Sequence, residues 1–394
     1  MKKIAFVCFI ISISVQLTMA QQVADTVNLT DIKFTVEAAP DWSALLKRQT
    51  GWFGGDGIYT IPLNGMEGEQ AHANNKILFI FSDSMIGKVR NKTMVPGYKM
   101  IHNAYAILDG DKPDAAKMRF YWDRDSLGNA ESVFIPNTPR TEKSDYYWLG
   151  DGFVNQANNN IYIFGYRVRN VSDGAFGFKE VGNTLIKIPA GDKPPYKNIQ
   201  QEDTPLYITD ESGSFGSFGA GIYVNTKQAS APNPDGYIYV YGVRDLAKNL
   251  MVARVLPEDF EDFGKWTYWD GSIWNKDIDK VVNITDGVSN ELSLTALPDG
   301  RYALVFQHGG MSPNVGMRIG ASPTGPFGPV IKLWDCKPDL IEKTFVVYNA
   351  KAHPSLSKPG ELLISYNINS VDFINDLKVH PNLYRPRFIR VKFQ

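Results

Sequence analysis

Two Gly-Asp-Gly triplets, Gly55-Asp56-Gly57 and Gly150-Asp151-Gly152, each open an apolar run, placing an acid on backbone that can approach a ligand closely. An Asp in such a cluster also reads as a turn residue capping its own backbone. Asp83 ends the wholly apolar run before it, where Asp is disfavoured, and Glu291 opens a further run. Four carboxyls at strand ends suit glycoside hydrolysis, which needs one carboxyl kept protonated by its surroundings and a second kept ionised as base or nucleophile. Like charges gathered around one axis raise at least one pKa, while Arg167, Arg244 and Lys351 hold others down. Trp52, Tyr147, Trp148 and Tyr348 stand just before the same runs, where flat faces can stack on sugar rings. His308 and His353 could contact sugar hydroxyls, or make ordinary hydrogen bonds in rim or core. The expected catalytic set is Asp56, Asp83, Asp151 and Glu291; the expected substrate contacts are Trp52, Trp148, Arg167, Arg244, His308, Tyr348, Lys351 and His353. Asp235, Asp270 and Asp299, each before a glycine, read as hairpin-turn residues without chemistry.

These residues need a scaffold that brings distant strand ends to one place. Five times a short head is followed, after a polar turn, by a continuous apolar run, the heads falling at Asp56, Asp151, Ala220, Glu291 and Ala350. Runs such as Ile77 to Phe81 must be covered on both faces. In a β-propeller each blade is sandwiched between two neighbours, which supplies that cover without helices. The expectation is an all-β, five-bladed propeller over residues 28–394, with a β-sandwich as the plainer alternative. The last blade has its inner pair and then only Phe388 to Phe393, so it lacks a strand. The alternating segment Asn28 to Ala38 is expected to pair there, closing the ring with both termini. Inner strands leave one face of such a disc and second strands return to it, so the acids should meet at one mouth.

Lys2 and Lys3 precede an apolar stretch and a small-residue cleavage site after Ala20, so residues 1–20 read as an export signal. The stretch is too short for a spanning helix, and the mature chain is expected in the periplasm or outside the cell. Cys8 would leave with the signal, making Cys336 a lone, buried thiol. Without Lys2 and Lys3 the chain has 39 basic and 42 acidic residues, a net charge near −3 that fits no nucleic-acid partner. No nucleophile elbow, zinc motif or P-loop occurs, and the scattered histidines suggest no metal site. A structural calcium in an acid-lined channel is conceivable.

The stretches Trp52 to Leu63, Ile77 to Gly87, Tyr147 to Gly152, Tyr268 to Trp274, Ala321 to Pro329 and Tyr348 to Ser370 resemble the bacterial secreted propellers catalogued as domain of unknown function 4185. That resemblance spans residues 52–369 and implies an endo-D-arabinanase-like activity, with Asp56 and Asp83 as the acid–base pair. Asp151 and Glu291 would match acids on later blades, whereas Ala220 departs from the pattern. The expected function is thus an exported glycoside hydrolase acting on an oligo- or polysaccharide, with an arabinofuranoside-type linkage leading. The alternatives are a non-catalytic glycan-binding propeller, or a propeller lyase or phosphorylase using Arg167, Arg244 and Lys351 for phosphate.

Overall fold

The computed structural model describes residues 27–67, 75–174, 177–209 and 214–394, and the expected export signal lies outside them. The fold is all-β. Among the described residues, α-helix is confined to Pro40–Leu45 and Phe373–Val379.

Each recurrent head leads an antiparallel sheet. In the first, Tyr59–Pro62 pairs with Lys76–Phe81, followed by Ala104–Asp109 and Met118–Tyr121. The second runs Tyr146–Asn155, Asn160–Asn170, Phe178–Ile188, Gln200–Asp203. Phe215–Asn225 leads the third through Tyr237–Arg244 and Asn249–Val255, with Tyr207–Thr209 on its other edge. Leu292–Ala296, Tyr302–Gln307, Asn314–Gly320 and Ile331–Asp335 make the fourth. The fifth is Phe345–Ala352, Glu361–Ser370 and Arg387–Phe393, and Phe34–Ala38 adds its outermost strand, with Phe34 opposite Phe393 and Ala38 opposite Ile389.

The apolar second strands are covered by neighbouring sheets. Among the described residues, buried side chains fall into five clusters, each shared by at least two sheets. Leu78 packs with Ile163, Phe164 with Val240, and Tyr241 with Leu304. Val305 packs with Ile364, and Phe79 with Leu363. At about 1.5–3 kcal/mol for each large apolar side chain fully buried, these inter-sheet seams hold the molecule together.

Three of the five recurrent heads are β-bulges, and the Glu291 head joins a regular ladder. Register slips between Leu149 and Gly152, between Phe218 and Gly221, and between Tyr348 and Lys351. In the first hairpin the ladder breaks outright: Thr50–Gly55 pairs with Ser84–Arg90 as a separate sheet, leaving Asp56 across from Ser82 and Asp83. The glycines were expected to let backbone approach a ligand; instead they let inner strands press on the protein itself. A Cβ on Gly54 would sit 2.4 Å from the Tyr384 carbonyl oxygen, and one on Gly219, at φ +104°, 2.5 Å from the Phe164 ring.

Candidate active site

A bulge re-aims the side chain it carries, and here the side chains at the heads form one electrostatic neighbourhood. The Asp56 amide donates to the Asp83 carbonyl at 3.2 Å, and the Ser82 amide to the Asp56 carbonyl at 2.8 Å. Burial pushes the Asp56 carboxyl up to about 8, helped by the negative charges of Asp83 and Glu291. The Tyr348 hydroxyl donates to Asp56 Oδ2 at 2.5 Å, and Asn369 Nδ2 donates to the same tyrosine oxygen at 3.2 Å. Tyr384 also hydrogen-bonds Asp56. The two phenolic hydrogen bonds pull the carboxyl down, but burial outweighs them and leaves it raised to about 8.

Asp83 stands at the open edge of this group. Its Oδ1 meets His102 Nδ1 at 2.9 Å, with 18% of the Asp83 side chain and 33% of the His102 side chain exposed. The imidazole stacks on Tyr146 with centroids 3.7 Å apart, and Trp148 meets Tyr146 edge-on at 6.0 Å. Tyr146 is buried beneath the imidazole, so the partly open part of this group is His102 and Trp148, and Trp148 is the aromatic face on which a sugar ring could lie.

On the other side, Glu291 forms an ion pair with Lys351, buried over the ring of Tyr59 with the ammonium 4.4 Å from its centroid. Burial raises the Glu291 carboxyl, while Lys351 and Asn349 pull it down. Asp151 is pushed up to about 7 by burial, yet its oxygens accept from the amides of Gly152 and Ile222, each at 2.8 Å. Those bonds tie it to the next sheet, as turn chemistry would. Where Ala220 replaces an acid, its carbonyl accepts the Tyr59 hydroxyl at 2.8 Å. Glu180, pushed up to about 8 by burial, adds a carboxyl that was not anticipated, its charge felt by Tyr166 together with Glu291 and Asp151.

Several expected contacts are placed elsewhere. Trp52 is 1% exposed, stacked on Phe120 and donating to Ser84, so it is a core residue and not a rim platform. Tyr147 is buried too, as is its neighbour Tyr146, which lies under His102. Arg167 is buried and bound to Asp203 at 2.5 Å, with Asp145 beside it at 3.7 Å, so its charge is already matched. His353 is buried with both ring nitrogens used, Nδ1 by Thr60 and Nε2 by Ser365, and burial holds its pKa well below the ordinary value. Arg244 turns toward Asn283 and the Val281 carbonyl. His308 is exposed next to Gly287, at the end of its strand. Trp148, Tyr348 and Lys351 are the expected contacts that do join the acids. His102, Tyr146, Tyr384 and Glu180 were missed. Asp235, Asp270 and Asp299 cap turns as expected, each accepting from an amide two residues on.

A cavity of about 440 Å³ lies toward the far ends of the same inner strands, lined by Tyr59, Glu67, Asp151, Thr295 and His353 among others. It is a different place from the Asp83 edge, and Asp151 lines it while lying in the field of the Glu291–Lys351 pair. Exposed Val171, Leu246, Met311 and Val371 follow second strands, on the Asp83 side of the sheets. Among the described residues no three or more His, Cys, Asp or Glu side chains are grouped to hold a metal, so the calcium suggested by the acids has no ligand set there. No helix among them is long and apolar enough to cross a membrane.

Residues 40–393 match the family described as "Domain of unknown function (DUF5005)". This corrects the expectation of family 4185, drawn from motifs that the bulged inner strands account for. None of the curated proteins matches the sequence. A Bacteroides ovatus ATCC 8483 protein described as a "putative hydrolase" is 20% identical, over 93% of this chain and 96% of that one, with a TM-score of 0.69; the two share a fold. A structure from the GH130 family of mannoside phosphorylases is 11% identical over 92% and 95%, TM-score 0.47. A GH62 hydrolase bound to xylotriose is 9% identical over 88% and 92%, TM-score 0.44.

Proposed function

The chain belongs to the DUF5005 family, whose description assigns no reaction, and from the site itself we propose that it is a glycoside hydrolase. The observation that carries the reading is the pairing of Asp56 with Asp83: two adjacent carboxyls, one buried and proton-bearing near neutral pH, the other half-open beside the stacked imidazole of His102. In this reading Asp56 is the general acid that protonates the leaving oxygen. Asp83 is the carboxyl that must work ionised, as base toward water or as nucleophile. Tyr348 and Tyr384 hold Asp56 in place, and the Lys351–Glu291 pair supplies a fixed charge at the centre. Trp148 receives the sugar, and Tyr146 backs His102 from beneath.

Hydrolysis is favoured over phosphorolysis because all three cations considered for a phosphate pocket are engaged: Arg167 by Asp203, Arg244 by Asn283, and Lys351 by Glu291. The same reading takes the five sheets as blades of one ring. In its support, each buried cluster joins at least two sheets, Thr60 hydrogen-bonds His353 between the first and fifth, and the N-terminal strand lies beside the last. It also places the mature protein in the periplasm or outside the cell. The arabinofuranoside linkage rested on the corrected family and enters only as one arm of the test.

That test is release of reducing sugar from arabinan, arabinogalactan, xylan and mannan by wild type and Asp56→Asn. Turnover of at least one glycan by the wild type, with a loss of about 10²–10⁴-fold in the variant, supports the reading. Tight glycan binding through Trp148 without turnover would instead establish a binding module.

A further inference from the structure

We propose that His102 is the positioning residue of Asp83, an inference that rests on the hydrolase reading for its kinetic meaning but not for its geometry. A carboxylate can only accept, so the 2.9 Å contact between Asp83 Oδ1 and His102 Nδ1 requires the imidazole to carry its hydrogen on Nδ1. The ring cannot swing to release that bond without leaving its stack. Tyr146 lies against one face at 3.7 Å and 17°, and Tyr146 is itself held by a 3.1 Å hydrogen bond to Asn170. The backbone beneath is pinned as well, the His102 amide donating to Ser132 Oγ at 2.9 Å.

Two atoms are left over. Neither Asp83 Oδ2 nor His102 Nε2 has a hydrogen-bond partner among the described residues, and both side chains are partly open to solvent. The division of labour follows. Oδ1 is taken by the histidine, which fixes the carboxyl plane, so Oδ2 is the oxygen that acts on water or on the anomeric carbon. Nε2, a bare acceptor in this tautomer, is free to take a hydrogen bond from a sugar hydroxyl. His102 thus orients the reacting oxygen through one nitrogen and touches the substrate through the other.

Asparagine and alanine separate these roles. His102→Asn keeps an N–H near the place of Nδ1 and loses Nε2, while His102→Ala loses both. A hydrogen bond to a charged group is worth about 10- to 100-fold, so on a polysaccharide of the panel that the wild type cleaves, H102A should lose about that factor in kcat. H102N should regain most of kcat while keeping a raised KM. Equal kcat losses in both variants, or an effect of H102A on KM alone, overturn the positioning role. The geometry is tested without any substrate by nitrogen-15 correlation spectra of the imidazoles in the full chain, with the His102 signal identified by its absence in H102N. A protonated Nδ1 with bare Nε2 supports the pairing; the opposite tautomer overturns it even if glycan cleavage is observed. If no glycan is cleaved but the Nδ1–H tautomer is found, the hydrolase reading fails and the pairing stands.

Discussion

Replacing Asp56 by Asn should stabilise the protein, and by more as the pH rises. The wild-type carboxyl has an ordinary value of 3.8 and is pushed to about 8, first by burial and then by the charge of Asp83. A group whose folded pKa is raised contributes stability that is fully present below the unfolded value and is lost as pH rises through the folded one. Between about pH 4 and pH 8 the unfolded chain has released this proton and the folded chain still holds it. Wild-type stability then falls by about 1.4 kcal/mol per pH unit, a ceiling of roughly 4 kcal/mol between pH 5 and pH 8. Asn titrates in neither state, so the whole slope disappears in the variant. Its side-chain oxygen can still accept from the Tyr348 hydroxyl, which keeps the offsetting loss to about 1 kcal/mol. Thermal unfolding followed by circular dichroism at pH 5, 6, 7, 8 and 9 should show D56N melting above the wild type, with the gap widening to about pH 8 and then levelling. Each kcal/mol corresponds to about 2 °C or less in a chain this long. A gap that stays constant with pH, or that reverses as pH rises, would refute a buried, proton-holding Asp56 and with it the assignment of the general acid.

Activity should follow the same proton: kcat holds below about pH 8 and declines above it as Asp56 ionises, and a rate that climbs through pH 9 counts against Asp56 as acid. Glu291→Gln leaves the buried Lys351 ammonium without its counter-charge and should destabilise by about 3–5 kcal/mol in urea titrations, whereas the double change to Gln and Met should recover much of that. Trp148→Ala should weaken glycan binding in calorimetry with little change in melting temperature. Trp52→Ala should do the reverse, lowering stability by about 3–5 kcal/mol with binding intact, because its ring is locked between Phe81 and Phe120.

The contrast between those two tryptophans shows what could be read along the chain. Continuous apolar runs must be covered on both faces, and that requirement alone led to layered sheets; the alternation before Ala38 likewise foretold the strand that pairs with Arg387–Phe393. Asp56, Asp83 and Asp151 were legible for a related reason, since each interrupts a strand at a place where only a bulge or a break tolerates it, whereas Glu291 precedes a regular strand. What the linear pattern does not carry is the side to which a residue next to a bulge points. A slip of one register position exchanges the two faces of a strand. Trp52 stands four residues before its head and Trp148 three, which puts them on opposite faces of their strands, and the ring of Trp52 goes into the core while Trp148 stays partly open. Arg167 was misjudged because its partner Asp203 lies on the outermost strand of the sheet and Asp145 in the approach to the innermost, so its neutralisation exists only in three dimensions. His102 sits between two strands with no pattern around it, and nothing before folding joins it to Asp83.

The mistaken family has the same origin as the all-β reading that the structure bears out. Glycine-rich heads followed by apolar runs recur wherever inner strands bulge past one another at van der Waals distance, as Gly150 against the Gly219 carbonyl and Gly54 against the Tyr384 carbonyl do here. Such motifs record a packing constraint, which makes them better witnesses of architecture than of family. Function is carried by the residues that the constraint leaves free to vary. Ala220 lies at the same bulge as Asp151 and makes the same ladder, yet only one of them carries a charge. An activity assay of Asp56, Asp83 and His102 variants therefore bears on function in a way that no further likeness of the heads could.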